Sequence, residues 1–177
     1  MRKSFTLIEL IIVIGIIAVL SALGATSYSG FQKNARDTRR KADLETITSA
    51  LNAYYAVNNR YPAAGTCAAG VAITTCSVNS TSSSSWISAL VTSGYLEALP
   101  QDPINNAAAP WDATNNNYSY AYGGVDTNGQ NYDLTARLEN TDDPDRCGIK
   151  NYKYTPTKTA WCGSYSNQIY EHSPNTF

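Results

Sequence analysis

A chain of 177 residues with a formal charge of −1 and only 15% charged side chains excludes a partner recognised through bulk charge, such as nucleic acid or an acidic surface. With about 25 residues spent on an apolar front segment, the remainder suffices for one domain with an adequate core. That remainder is rich in Ser, Thr, Asn, Ala and Tyr, an uncharged polar composition suited to protein contact or to display outside a cell.

Residues 1–4 carry Arg2 and Lys3, and basic residues before an apolar run hold that end in the cytoplasm. Residues 5–25, FTLIELIIVIGIIAVLSALGA, have about the 20-residue length that a helix needs to cross a bilayer core. Their sole ionisable side chain is Glu9, which is costly in such a run. A secretory signal peptide cut after small residues such as Ala25 has a shorter apolar middle without an acid. A plain membrane anchor explains the length and leaves Glu9 unexplained.

Lys3-Ser4-Phe5-Thr6-Leu7-Ile8-Glu9, followed by the unbroken apolar run, resembles the leader of type IV pilins and type II secretion pseudopilins. The resemblance implies that a prepilin peptidase cuts between Ser4 and Phe5 and that the new amine of Phe5 is methylated. It makes Glu9 the carboxylate that pairs with the free N-terminus of a neighbouring subunit. A buried ammonium and a buried carboxylate each cost several kcal/mol alone, and pairing lowers that penalty. On this reading assembly supplies the partner that Glu9 lacks within one chain. Two positions depart from the family pattern: Ser4 stands where glycine is usual, and Gly24-Ala25-Thr26 stands where many relatives carry proline. No backbone donor is lost there, although Gly24 weakens the helix by about 1 kcal/mol and leaves room for a bend.

The helical pattern continues to Asn58, with no proline before Pro62, which is expected to end it. Residues 5–58 are thus expected to form one helix about 80 Å long. Phe31, Ala35, Thr38 and Ala42, then Leu44, Ile47, Leu51 and Tyr54, form the stripe expected to pack on a head domain. Lys33, Arg36, Arg39, Arg40 and Lys41 form a basic cluster, assigned to carboxylates along neighbouring helices. Counted strictly, this cluster outweighs Arg2 and Lys3 and puts the C-terminal domain in the cytoplasm. The cysteines and the Phe5 motif argue for the outside, and that placement is adopted. Tyr54-Tyr55, a polar stretch and Tyr61-Pro62 also resemble the helix end of pseudopilins.

Cys67, Cys76, Cys147 and Cys162 have no CxxC spacing, which argues against zinc and for two disulfides in an oxidising compartment. Four cysteines allow three pairings; nearness in sequence favours Cys67 with Cys76 and Cys147 with Cys162. The first pair closes a surface loop within residues 63–85, worth about 2.5–3 kcal/mol in the loop-entropy account. Many type IV pilins resemble the second arrangement. Residues 85–93 read as a short helix, with Trp86, Ile87 and Leu90 inward, Ser85 as cap and Gly94 as stop. Leu99-Pro100 and Asp102-Pro103 again resemble the pseudopilin pattern.

Tyr118, Tyr120 and Tyr122 alternate with small residues, and Tyr132, Leu134, Ala136 and Leu138 with polar ones, which predicts a hairpin. A three-residue loop, Thr127 to Gly129 with Gly129 left-handed, pairs Tyr122 with Leu134, Tyr120 with Ala136 and Tyr118 with Leu138. That register puts tyrosines and leucines on one apolar face; a two-residue turn puts them on opposite faces. The acidic run of Asp142, Asp143 and Asp145 reads as a solvated turn, with calcium the alternative, because its spacing is not a recognised calcium loop. Residues 149–154 read as a third strand.

No nucleophile elbow, phosphate loop or zinc-helix motif is present, and His172 reads as an exposed tail residue, so the chain is not expected to be an enzyme. The expected fold is α+β: a long N-terminal helix packed on a small antiparallel sheet. The expected organisation is a leader at 1–4, a transmembrane and filament-core helix at 5–25, and an extracytoplasmic head at 26–177. The resemblance implies a structural subunit of a type IV pilus-like filament serving motility, adhesion or DNA uptake. Its partners would be copies of itself, a prepilin peptidase, an assembly machine and, before assembly, the membrane. No cofactor is expected. A pseudopilin of a type II secretion system and a membrane-anchored binding domain are the alternatives.

Overall fold

The computed structural model describes residues 6–68, 71, 73, 75–112, 114–146, 168–172 and 174, without the side chains of 22–27. Helix α1, Leu7–Asn58, runs unbroken for 52 residues, through Gly24. Thr6 caps its start in a reciprocal capping box with Glu9. Its end is set by Asn59, left-handed at φ 54°, whose N–H bonds to the Tyr55 carbonyl. The helix therefore stops three residues before Pro62, because asparagine tolerates that conformation.

Among the described side chains of α1, those that pack on the head lie in its C-terminal half. The buried positions are Asp37, Arg40, Leu44, Ile47 and Leu51, at spacings of three and four, with Ala50 beside Leu51. Phe31, Ala35, Thr38 and Ala42, expected on the packed stripe, are exposed, Phe31 by 72%. The upper part of the packed stripe is apolar, as expected. Its lower part is charged, at Asp37 and Arg40, so apolar periodicity there marks the exposed face.

The sheet has four antiparallel strands in the order β1 (Ser77–Asn79), β2 (Tyr120–Gly123), β3 (Asp133–Arg137) and β4 (Ile169–His172). In the hairpin, Tyr122 pairs with Leu134 and Tyr120 with Ala136, the expected register; the ladder ends before Tyr118 and Leu138. Gly129 is left-handed at φ 68°, and an added Cβ would meet Arg60 Cβ at 2.8 Å. The front face places Tyr120, Tyr122, Leu134 and Ala136 against Leu44, Ile47 and Leu51. The sheet is not one-sided, however. Ala121 on the back is covered by Ile73, Trp111 and Ile169 from a second cluster.

Helix α2, Ser88–Thr92, is shorter than expected and has no side-chain cap; Ser85 instead donates its N–H to Ser83 Oγ. Gly94 stops it at φ 74°, with Tyr95 N–H bonding to the Leu90 carbonyl and Gly94 N–H to that of Val91. Trp86, Ile87 and Leu90 are buried as expected. Cys67 and Cys76 form a disulfide, Cα atoms 5.6 Å apart, and β1 follows directly where only loop was expected. Cys147, Cys162 and the strand expected over 149–154 lie outside the described residues. His172 is not a tail residue: it belongs to β4, is partly buried and makes a 2.9 Å bond with the Tyr170 hydroxyl.

Among the described residues no helix is long and apolar enough to cross a membrane. The side chains of 22–27, which complete the apolar run, are not among them.

Candidate functional site

Two features of α1 have functional content: an apolar half that the head leaves uncovered, and a polar clamp that joins the other half to the head. In the first, Leu7, Ile8, Leu10, Ile11, Ile12, Val13 and onward to Leu20 are each about half exposed or more. The apolar side chains point in all directions, so no single face is reserved for the head. A patch of this size marks an interaction surface on a helix that cannot be stable alone in water.

Glu9 lies inside this patch. Its carboxylate accepts from Thr6 N–H at 2.9 Å and from Thr6 Oγ1 at 2.7 Å, while Thr6 Oγ1 accepts from Glu9 N–H at 3.3 Å. The expectation that Glu9 lacks a partner within one chain is thus corrected. Ser-or-Thr three residues before Glu is the capping-box signal, and it is legible in the sequence. The carboxylate remains exposed, with acceptor positions left for a second donor. Ser4 and Phe5 lie outside the described residues.

The clamp is centred on Arg40, which is fully buried. Its guanidinium donates from Nε to Asp102 Oδ2 at 2.7 Å and from Nη2 to Asp102 Oδ1 at 3.0 Å. From Nη1 it donates to Asp37 and to Glu139, both at 2.7 Å. Arg36 adds a two-pronged contact with Glu139 at 2.5 and 2.6 Å. The carboxylates are themselves held by backbone. Asp37 accepts from Glu139 and Asn140 N–H, and Asp102 from Ile104 and Asn105 N–H. The Tyr118 ring lies 4.8 Å from the Arg40 guanidinium carbon. Burial pushes the Glu139 carboxyl up, but its bonds to Arg36 and Arg40 hold it below the usual carboxylate range.

Arg36, Arg40 and Lys41 therefore pair with carboxylates of their own chain, and not, as expected, along neighbouring helices. Lys41 bridges Asp143 at 2.7 Å and Asp145 at 2.5 Å, so the acidic turn is clasped by the helix. Burial raises the Asp143 carboxyl, and the Lys41 bond brings it below its ordinary value. Among the described residues no group of three or more His, Cys, Asp or Glu side chains could hold a metal ion. The clamp was missed in the sequence because its members are spread over residues 36–139, and nothing local marks Asp102 or Glu139 as partners.

A long helix with an uncovered apolar half, locked by charge to a finished head, defines an anchor-and-head subunit. A family profile described as the prokaryotic N-terminal methylation motif matches residues 1–25. The chain is 30% identical over 105 residues to the type II secretion system core protein G of Aeromonas hydrophila, covering 59% of this chain and 69% of that protein. To the protein of the same name from Pectobacterium carotovorum subsp. carotovorum it is 31% identical over 115 residues, covering 58% and 62%. The type IV major pilin protein PilA of Myxococcus xanthus is 32% identical over 60 residues, 34% of this chain and 27% of that one. No solved structure matches. The chain belongs to the pilin and pseudopilin family.

Proposed function

We propose that the chain is a non-enzymatic structural subunit of a type IV pilus-like filament, built by bundling of its N-terminal helices after removal of residues 1–4. The observation that carries this reading is the apolar half of α1: Leu7 to Leu20 are exposed beside a head whose core is complete without them. Before assembly, residues 5–25 would sit in the cytoplasmic membrane with the head outside, where the Cys67–Cys76 disulfide is stable. After assembly, copies of the same helix would replace lipid. Glu9 would keep Thr6 and take the N-terminal amine of a neighbour as a further donor. A prepilin peptidase and a separate assembly machine are the partners this requires.

A second reading, a pseudopilin of a type II secretion system, is favoured by the longer matches to core protein G, 105 and 115 residues against 60 for the pilin. Imaging filaments from the native cell and sequencing the N-terminus of their subunit tests both. Long surface filaments whose subunits begin at Phe5 support the pilus. Loss of protein secretion on deletion, without long filaments, supports the pseudopilin. Subunits beginning after Ala25 would overturn both.

A further inference from the structure

Between the apolar run and the clamp lies a polar cleft of about 220 Å3, lined by Gly30, Lys33 and Asn34 of α1 and by Glu139, Asn140 and Thr141 after β3. Its charge balance is uneven. Glu139 is spoken for by Arg36 and Arg40, and Asn140 Nδ2 donates to Asn34 Oδ1 at 3.1 Å. Lys33, by contrast, has no carboxylate partner among the described residues, unlike Arg36, Arg39, Arg40 and Lys41. The Thr141 hydroxyl likewise has no partner among them, and an added Cβ at Gly30 meets nothing within 4 Å. The cleft thus offers an uncompensated ammonium, a hydroxyl and open space.

Its height along α1 gives this arrangement a use. Lys33 is eight residues beyond Ala25, about 12 Å along the axis. Helical side chains tilt toward the N-terminus, so the Lys33 ammonium reaches back toward the apolar run. The headgroup layer outside the hydrocarbon is about 5–8 Å deep on each side. The ammonium and the open side of Gly30 therefore fall at headgroup level when residues 5–25 fill the hydrocarbon.

We propose that this cleft binds the phosphate headgroup of an anionic phospholipid in the leaflet beneath the head. The site would hold the unassembled subunit at a fixed height and rotation. The proposal rests on the membrane-anchored state described above. Lys33 supplies the charge, Thr141 a hydrogen bond to a phosphate oxygen, and Gly30 the room for the headgroup.

The test is a titration of the detergent-purified full chain with phosphatidylglycerol, read as bound lipid by native mass spectrometry. Phosphatidylcholine and inorganic phosphate form the other arms. Expected are one saturable phosphatidylglycerol site that prefers it to phosphatidylcholine, and binding about fivefold weaker in Lys33→Gln, the effect of one juxtamembrane basic residue. Gly30→Leu, which fills the cleft and leaves the charge, should weaken it similarly; both positions are exposed, and unchanged thermal midpoints check the fold. Equal binding by wild type and both variants would overturn the proposal, as would displacement of the lipid by millimolar inorganic phosphate. Alkaline extraction of native membranes separates the two failures. A chain that washes off defeats the anchored state, whereas a retained chain indifferent to lipid defeats only this site.

Discussion

Arg40 shows how much of the head's attachment rests on one side chain. Its charge is out of water and is offset by Asp37, Asp102 and Glu139. Removing one partner of such a buried set leaves the others uncompensated, a loss of about 3–5 kcal/mol. Arg40→Ala is therefore expected to lower the unfolding free energy by that amount in denaturant titration. An effect below about 1 kcal/mol, the scale of an exposed pair, would show that the clamp is not desolvated. A second residue sets a pH dependence. Burial pushes the Asp133 carboxyl up to about 7, with a hydrogen bond to Glu171 across the ladder pulling the other way. Its folded value exceeds the unfolded one, near 4, so the folded state binds more protons between those limits. Stability contributed by this group is full below about pH 4 and falls as pH rises to 7, by at most about 1.4 kcal/mol per pH unit. His172, lowered by burial, works in the opposite direction near its ordinary value. The decisive measurement is thus the stability of wild type relative to Asp133→Asn across pH 4–8, which should fall as pH rises because asparagine stays neutral.

At the scale of elements, the hairpin and the disulfide loop were legible, and the reasons are local. Asn128-Gly129 gives a turn, and alternating tyrosines and leucines fix the register once both must face the same core. Gly129→Val should cost about 1–3 kcal/mol, because the left-handed backbone is strained with any Cβ and Arg60 occupies the space. Unchanged stability in this variant would mean that the hairpin tip does not press on the helix exit, where Tyr61 N–H bonds to the Gly129 carbonyl at 2.7 Å. Cys67→Ser with Cys76→Ser should cost about 2.7 kcal/mol for the loop released, measured against wild type under non-reducing conditions. The capping box is also readable in the sequence, as Thr6 with Glu9 three residues on. What could not be read was long-range. β1 and β4 are three and four residues long and carry no alternation, and their existence depends on β2 and β3. The lower packed stripe of α1 was hidden for a similar reason, since Asp37 and Arg40 are buried only because loops far along the chain bring Asp102 and Glu139 to them.

The whole molecule divides its labour along α1, and the division can be measured. Among the described residues, every buried side chain is at Asp37 or beyond, and both apolar clusters begin later, at Leu44 and Ile73. Among the described side chains, those of residues 6–21 give the head nothing that it packs against. Exposed apolar surface of that extent drives association in water, so the full chain needs detergent, lipid or its own copies. A chain beginning at Tyr28 should therefore be monomeric in buffer. It should also unfold within a few degrees of the full chain in mild detergent, since about 1 kcal/mol shifts the midpoint of a domain of this size by about 2–4 °C. Residues 28–33 would fray without loss, because Asn34 is the first described residue whose side chain bonds to the head, at Asn140, followed by Arg36 at Glu139. Thermal unfolding of both chains, followed by circular dichroism at 222 nm and by the environment of the buried tyrosines, checks this directly. A midpoint lowered by more than 10 °C would mean that the apolar half supports the head. A midpoint that holds leaves that half with no use inside its own subunit, and assigns it wholly to membrane and filament.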